Sequence, residues 1–153
     1  MRKQTTGYGC GLYAVANAAN LDKFITDKRL ELSKGGNNIG HLSKWLQEDG
    51  LEIYIEVLYY NHLGKKLPKS ATGYIPTGEG VTYLPILIQV RQHKDGKSHL
   101  VGGKIAKDGT LYLYDSLCHD IIETKLSKVN SMYAEVCGVF VFNALDGSNY
   151  AFI

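Results

Sequence analysis

The chain has 153 residues, enough for one domain of ordinary size and too few for a second. With 44% hydrophobic residues, 21% charged residues and a net charge of +2, it can bury a core without a metal or disulfide staple, and it lacks the basic stripe by which nucleic-acid binding advertises itself. Three cysteines, Cys10, Cys118 and Cys137, are an odd number that does not suit a disulfide framework, so reduced thiols are expected. Residues 1–7 contain no apolar signal-peptide core, and no run approaches the roughly 18 apolar residues of a membrane span. The expectation is a single domain over residues 1–153, cytoplasmic (or carried in a virion or host cell, if viral) and not secreted by a signal peptide.

In chain order, the alanine-rich stretch 10–21 places Leu12, Val15, Ala16 and Ala19 on one helical face, which predicts a helix starting at Cys10. A short second helix is expected over Lys28–Leu32 after Asp27, and a third through Ile39, Leu42, Trp45 and Leu46, stopped by Gly50. From Leu51 the period falls to two, with Ile53, Ile55, Val57 and Tyr59 continuing a half-buried strand. Residues 61–80 hold two of the three prolines and several glycines and form the one long loop, a candidate flap beside a groove. Further strands are expected at 85–91, 99–105, 110–116 and 135–142, separated by turns at Asp95-Gly96 and Lys107-Asp108-Gly109. The fold class is α+β, helices first and a mainly antiparallel sheet after.

A thiol in the first turn of a helix sees unpaired backbone N–H groups and the positive end of the helix dipole, which favour thiolate over thiol. Cys10 has that position, after the glycines of Gly7-Tyr8-Gly9, and the amide of Gln4 could be turned back to help those N–H groups receive an oxyanion. A nucleophilic cysteine also needs an imidazole and a group to orient it. A three-residue turn at 107–109 sets Ile105 opposite Leu111, Gly103 opposite Leu113 and Val101 opposite Asp115, with His99 diagonal to Asp115 on the same face. That face is otherwise apolar, so the helix from Cys10 is expected to cover it and complete a Cys-His-Asp triad. No cofactor and no metal are expected.

The segment Gln4…Gly7-Tyr8-Gly9-Cys10-Gly11-Leu12-Tyr13 resembles the Gln-x5-Cys-Gly motif of the adenovirus protease and SUMO-protease group, and His99…Tyr114-Asp115-Ser116-Leu117 resembles that group's His…Tyr-Asp-Ser-Leu strand pair. The order Cys, His, Asp is instead similar to papain and to the bacteriocin-processing peptidase domain of peptide-exporting transporters. The resemblance implies a papain-like-fold cysteine peptidase with Cys10 as nucleophile, His99 as general base and acid, Asp115 as orienting carboxylate, and Gln4 with the Cys10 N–H as oxyanion hole. It also implies a peptide or protein substrate, with an activating protein partner in some members. The chain departs from the pattern at Gly9, where Asp is frequent, at Leu100, where an aromatic often follows the histidine, and at Ser116, where the transporter group commonly has Pro.

The same triad would serve a deamidase, a transglutaminase or a ubiquitin-like-modifier protease, and the fold without the chemistry would serve as a peptide-binding module. Cys137 is a rival nucleophile, because Cys137-Gly138 also resembles the SUMO-protease motif and would keep that group's residue order. Ser131 in place of Gln, and the β-branched surroundings of a buried strand, count against it. Cys118, His119 and His93 match no zinc spacing, and Gly96-Lys97-Ser98 lacks the rest of a phosphate loop.

Overall fold

The computed structural model describes residues 1–19, 21–35, 39–49, 51–54, 84–106, 110–118 and 120–144. Strand residues expected beyond position 54, the long loop at 61–80, the turn at 107–109, the Gly50 stop and His119 lie outside these. The chain forms α1 (Cys10–Ala19), α2 (Lys23–Thr26), α3 (Lys28–Leu32), α4 (Ile39–Glu48), β1 (Leu51–Tyr54), β2 (Leu84–Arg91), β3 (Ser98–Ile105), β4 (Thr110–Tyr114), β5 (Ile122–Lys125), α5 (Leu126–Val129) and β6 (Glu135–Ala144). The architecture is α+β. Its open sheet of six antiparallel strands runs β1-β6-β2-β3-β4-β5: a meander from β2 to β5, with β6 returning to the far side of β2.

Two apolar clusters hold the sheet between them. On one face Leu12, Ala14, Val15 and Ala18 of α1, with Phe24, Leu42 and Leu46, meet Leu87 and Leu100. On the other, Ile86, Ile88, Val90, Val101, Ile105, Leu111 and Leu113 are closed over by Val129 and Tyr133, with Leu126 and Met132 at the margin. Fully burying one such aliphatic side chain is worth about 1.5–3 kcal/mol, so a strand that feeds both clusters is strongly held. From His99 to Ile105, β3 is buried at every position.

This corrects the expected placement of the first helix. The face carrying Val101, Ile105, Leu111 and Leu113 does require a cover, but α5 and the turn after it provide one. Helix α1 lies on the opposite face, where Gly102 admits it: a Cβ at Gly102 would stand 2.4 Å from the Ala14 carbonyl oxygen. The physical reason is that β3 is central and covered on both sides, so its pattern does not say which cover comes from where.

The β3–β4 register is the expected one, with Ile105 opposite Leu111 and Gly103 opposite Leu113, but the ladder ends at Gly102 and Tyr114. Asp115 therefore does not pair with Val101; it leaves the strand. Its carboxylate accepts the Leu117 N–H at 3.0 Å and its carbonyl accepts the Cys118 N–H at 2.9 Å, two turn-forming bonds that stop β4. Opposite β2, strand β6 bulges: Gln89 pairs with Gly138 and Val90 with Val136, leaving Cys137 as the extra residue. The bulge lets Val136 and Val139, three apart, enter the same cluster. No helix among the described residues is long and apolar enough to cross a membrane.

Candidate active site

The site is assembled at the N-terminus of α1. Gly9 has φ +86°, where side chains are strained, and a Cβ there would meet Leu30 Cδ1 at 2.6 Å, so the position calls for glycine. Its carbonyl accepts the Leu12 N–H at 2.9 Å and the Tyr13 N–H at 3.1 Å, which starts the helix at Cys10. The Cys10 and Gly11 N–H groups come before the first of these bonds, and that of Gly11 donates to the Cys10 sulfur.

Three segments converge on that sulfur. The Leu100 N–H donates to it, two residues past the last β3–β4 pair and on the side that β4 has left. The His99 ring also hydrogen-bonds it. Because His99 Nε2 lies 2.8 Å from Asp115 Oδ1, Nδ1 is the nitrogen left for the thiol. His99 is 3% exposed and Asp115 5%, so water competes weakly for these contacts.

The electrostatics follow from burial and pairing. Burial works to raise the Cys10 pKa, but the His99 hydrogen bond, the Leu100 N–H, the imidazolium charge and the Gly11 N–H together hold it below the ordinary thiol value. Burial likewise opposes the His99 imidazolium; Asp115 and Cys10, through hydrogen bonds and charge, overcome it and push the ring up to about 9. Asp115 is desolvated too, yet His99, Tyr133 and the Leu117 N–H keep it below the usual carboxylate range. Each of the three shifts favours the charged form of its group: thiolate at Cys10, imidazolium at His99 and carboxylate at Asp115.

Gln4 is near but turned away. Its Nε2 donates to Thr6 O at 2.8 Å and Tyr8 O at 3.2 Å, and its Oε1 accepts from Ser116 Oγ at 3.1 Å. The Gln4 N–H donates to Ser116 O at 2.8 Å. Asn17 of α1 reaches back to the Arg2 backbone with bonds in both directions, at 2.7 and 3.0 Å. The N-terminal segment is thus tied to α1 at one end and to the turn after Asp115 at the other. Ser116, where a proline would lack the hydroxyl, is part of that tie.

The sequence reading missed Tyr133. Its Oη donates to Asp115 Oδ2 at 2.8 Å from a buried position, and burial with the neighbouring carboxylate pushes the phenol up, keeping it protonated. Burial and the same carboxylate raise the Cys118 thiol, which also hydrogen-bonds Asp115. The rival Cys137 sits in mid-strand at the β6 bulge. Among the described residues no group of three or more His, Cys, Asp or Glu side chains could hold a metal ion. The chain matches no protein-family model, and no curated protein is significantly similar to it.

Proposed function

We propose that this protein is a cysteine peptidase of papain-like type, acting on a peptide or protein segment through Cys10, His99 and Asp115. What carries the reading is the meeting of three segments distant in sequence. They form one buried relay, with a helix-start thiol on one side of the imidazole and a carboxylate 2.8 Å away on the other. A histidine buried only for packing would not gather a charged partner at each ring nitrogen.

In the proposed reaction the thiolate attacks the scissile carbonyl carbon, forming the S–C bond while the carbonyl π electrons move to oxygen. Those N–H groups at the start of α1 that are not already bonded to Gly9 O, that of Cys10 foremost, receive the oxyanion. Gln4 joins them only by releasing a loop carbonyl, Tyr8 O at 3.2 Å being the longer of its two bonds. As the oxyanion collapses, the C–N bond breaks and His99 gives its Nδ1 proton to the departing amine, leaving a thioester. Water then attacks the thioester carbon, His99 takes the water's proton, and the S–C bond breaks to restore thiolate and imidazolium. An amine in place of water would make the same site a transferase.

The test is thiol reactivity. At pH 6, iodoacetamide should label Cys10 at least tenfold faster than Cys118 or Cys137, and a peptide-based electrophilic probe should form its adduct on Cys10 by mass spectrometry. Both signals should vanish in Cys10→Ala. Equal, slow labelling of all three thiols would instead favour a binding module.

A further inference from the structure

The Asp115 carboxylate is held on both oxygens. Oδ1 accepts from His99 and from the Leu117 N–H, and Oδ2 from Tyr133 at 2.8 Å. Tyr133 is itself fixed on either side: the Met132 N–H donates to Val129 O at the end of α5, and the Ala134 N–H to Arg91 O of β2, both at 3.0 Å. Its ring belongs to the apolar cluster beneath the sheet, so packing holds the ring while the hydroxyl is aimed at the carboxylate. We propose that Tyr133 is a positioning residue: its hydroxyl clamps Asp115 from the side away from His99 and sets how far into acid the Cys10–His99 ion pair survives. This rests on the hydrolase reading above.

Among the described residues, the groups that face Asp115 are few. His99 comes from β3 with Cys10 of α1 behind it, Tyr133 from the turn before β6, and the Cys118 thiol from the turn after β4. Arg91 of β2 and Glu135 of β6, in the neighbouring strands, pair with each other at 2.9 Å in exposed positions. Without the phenol, Oδ2 loses its hydroxyl donor, and the Cys118 thiol that also bonds the carboxylate is a weak one. The carboxylate then protonates at higher pH, the imidazolium loses its counter-charge there, and the thiolate follows.

The test follows the rate of Cys10 alkylation by iodoacetamide from pH 4 to 8 in wild type and Tyr133→Phe, with melting curves at each pH. Phe keeps the ring, so a packing role alone leaves the profile where it was. The expected result is an acid inflection about one pH unit higher, which is about a tenfold slower rate on the acid limb. An unmoved inflection in a folded Tyr133→Phe overturns the role of Tyr133 while leaving the wild-type reactivity, and with it the hydrolase reading, intact. A wild-type Cys10 no faster than Cys137 overturns both. In an Asp115→Asn background, Tyr133→Phe should change nothing further, and a second shift there overturns the proposal. If Tyr133→Phe alone fails to fold, restoration of folding by Asp115→Asn supports the coupling and failure to restore it overturns it.

Discussion

Gly102→Ala tests how the thiol is brought to the imidazole. The added methyl would lie 2.4 Å from Ala14 O, 3.2 Å from its carbonyl carbon and 3.3 Å from its Cα. These are backbone atoms of a buried helix, so no side-chain rotation relieves the clash. Restoring ordinary contact requires α1 to lift from β3 by about 1 Å. Overpacking of this kind costs about 1–3 kcal/mol, or roughly 3–10 °C in Tm for a chain of this size. Ala14 lies one turn after Cys10, so the same lift draws the sulfur away from the Leu100 N–H and His99. A misplacement of about 1 Å at a reacting centre costs about 10²-fold in rate. The expected outcome is a folded protein with lowered Tm whose Cys10 labels at pH 6 no faster than Cys137. Gly7→Ala, where an added methyl meets nothing within 4 Å, serves as control and should label like wild type. A Gly102→Ala protein with wild-type Tm and labelling would refute the claim that close packing of α1 on β3 creates the reactive thiol.

Gln4→Ala separates a tether from an oxyanion donor. Turnover should fall about 10²-fold while alkylation, which forms no oxyanion, stays within about threefold, because the Gln4 N–H bond to Ser116 and the Asn17 ties to Arg2 remain; equal losses would make it a tether alone. Stability against pH tests the ion pair. His99, raised from 6.5 to about 9, contributes stability that is complete below 6.5 and lost as pH climbs to about 9, whereas Cys10, lowered from 9.0, contributes stability gained with rising pH and complete above 9.0. The two slopes oppose each other, so Cys10→Ser should lose more stability than wild type between pH 6.5 and 9 in urea denaturation; parallel curves would show that no such pair exists.

The readable parts of the sequence were those governed by local rules. The start of α1 at Cys10 follows from glycines ahead of an alanine-rich apolar period, and the β3–β4 register from turn length and parity. The face that α1 covers was not readable, because His99 to Ile105 are all buried and alternation disappears in a strand covered on both sides. The four-residue elements α2, β5 and α5 are too short for any period to register. Tyr133 is one of 11 tyrosines, and its value lies in a contact across 18 positions through a turn. Gln4 stood out as an amide upstream of a cysteine, but its partner Ser116 is 112 positions away.

The misplaced helix alters what the site depends on. A helix on the His99 face could have met the imidazole directly, but α1 lies on the other side of the sheet, and its thiol reaches the ring only where the sheet is open. That opening exists because β4 stops at Tyr114. Had the ladder continued in register, position 116 would lie opposite Leu100, and β4 would claim the N–H that now points at the Cys10 sulfur. The turn at Asp115 prevents this, with the Leu117 N–H on the carboxylate and the Cys118 N–H on the carbonyl, and Gln4 holds Ser116 away through both its backbone and its side chain. The residue that hydrogen-bonds the imidazole is therefore also the one that ends the strand. A substitution at Asp115 acts on two things at once, the charge behind His99 and the gap through which Cys10 enters. Asp115→Asn, which keeps an acceptor for the Leu117 N–H, separates the first from the second better than Asp115→Ala does.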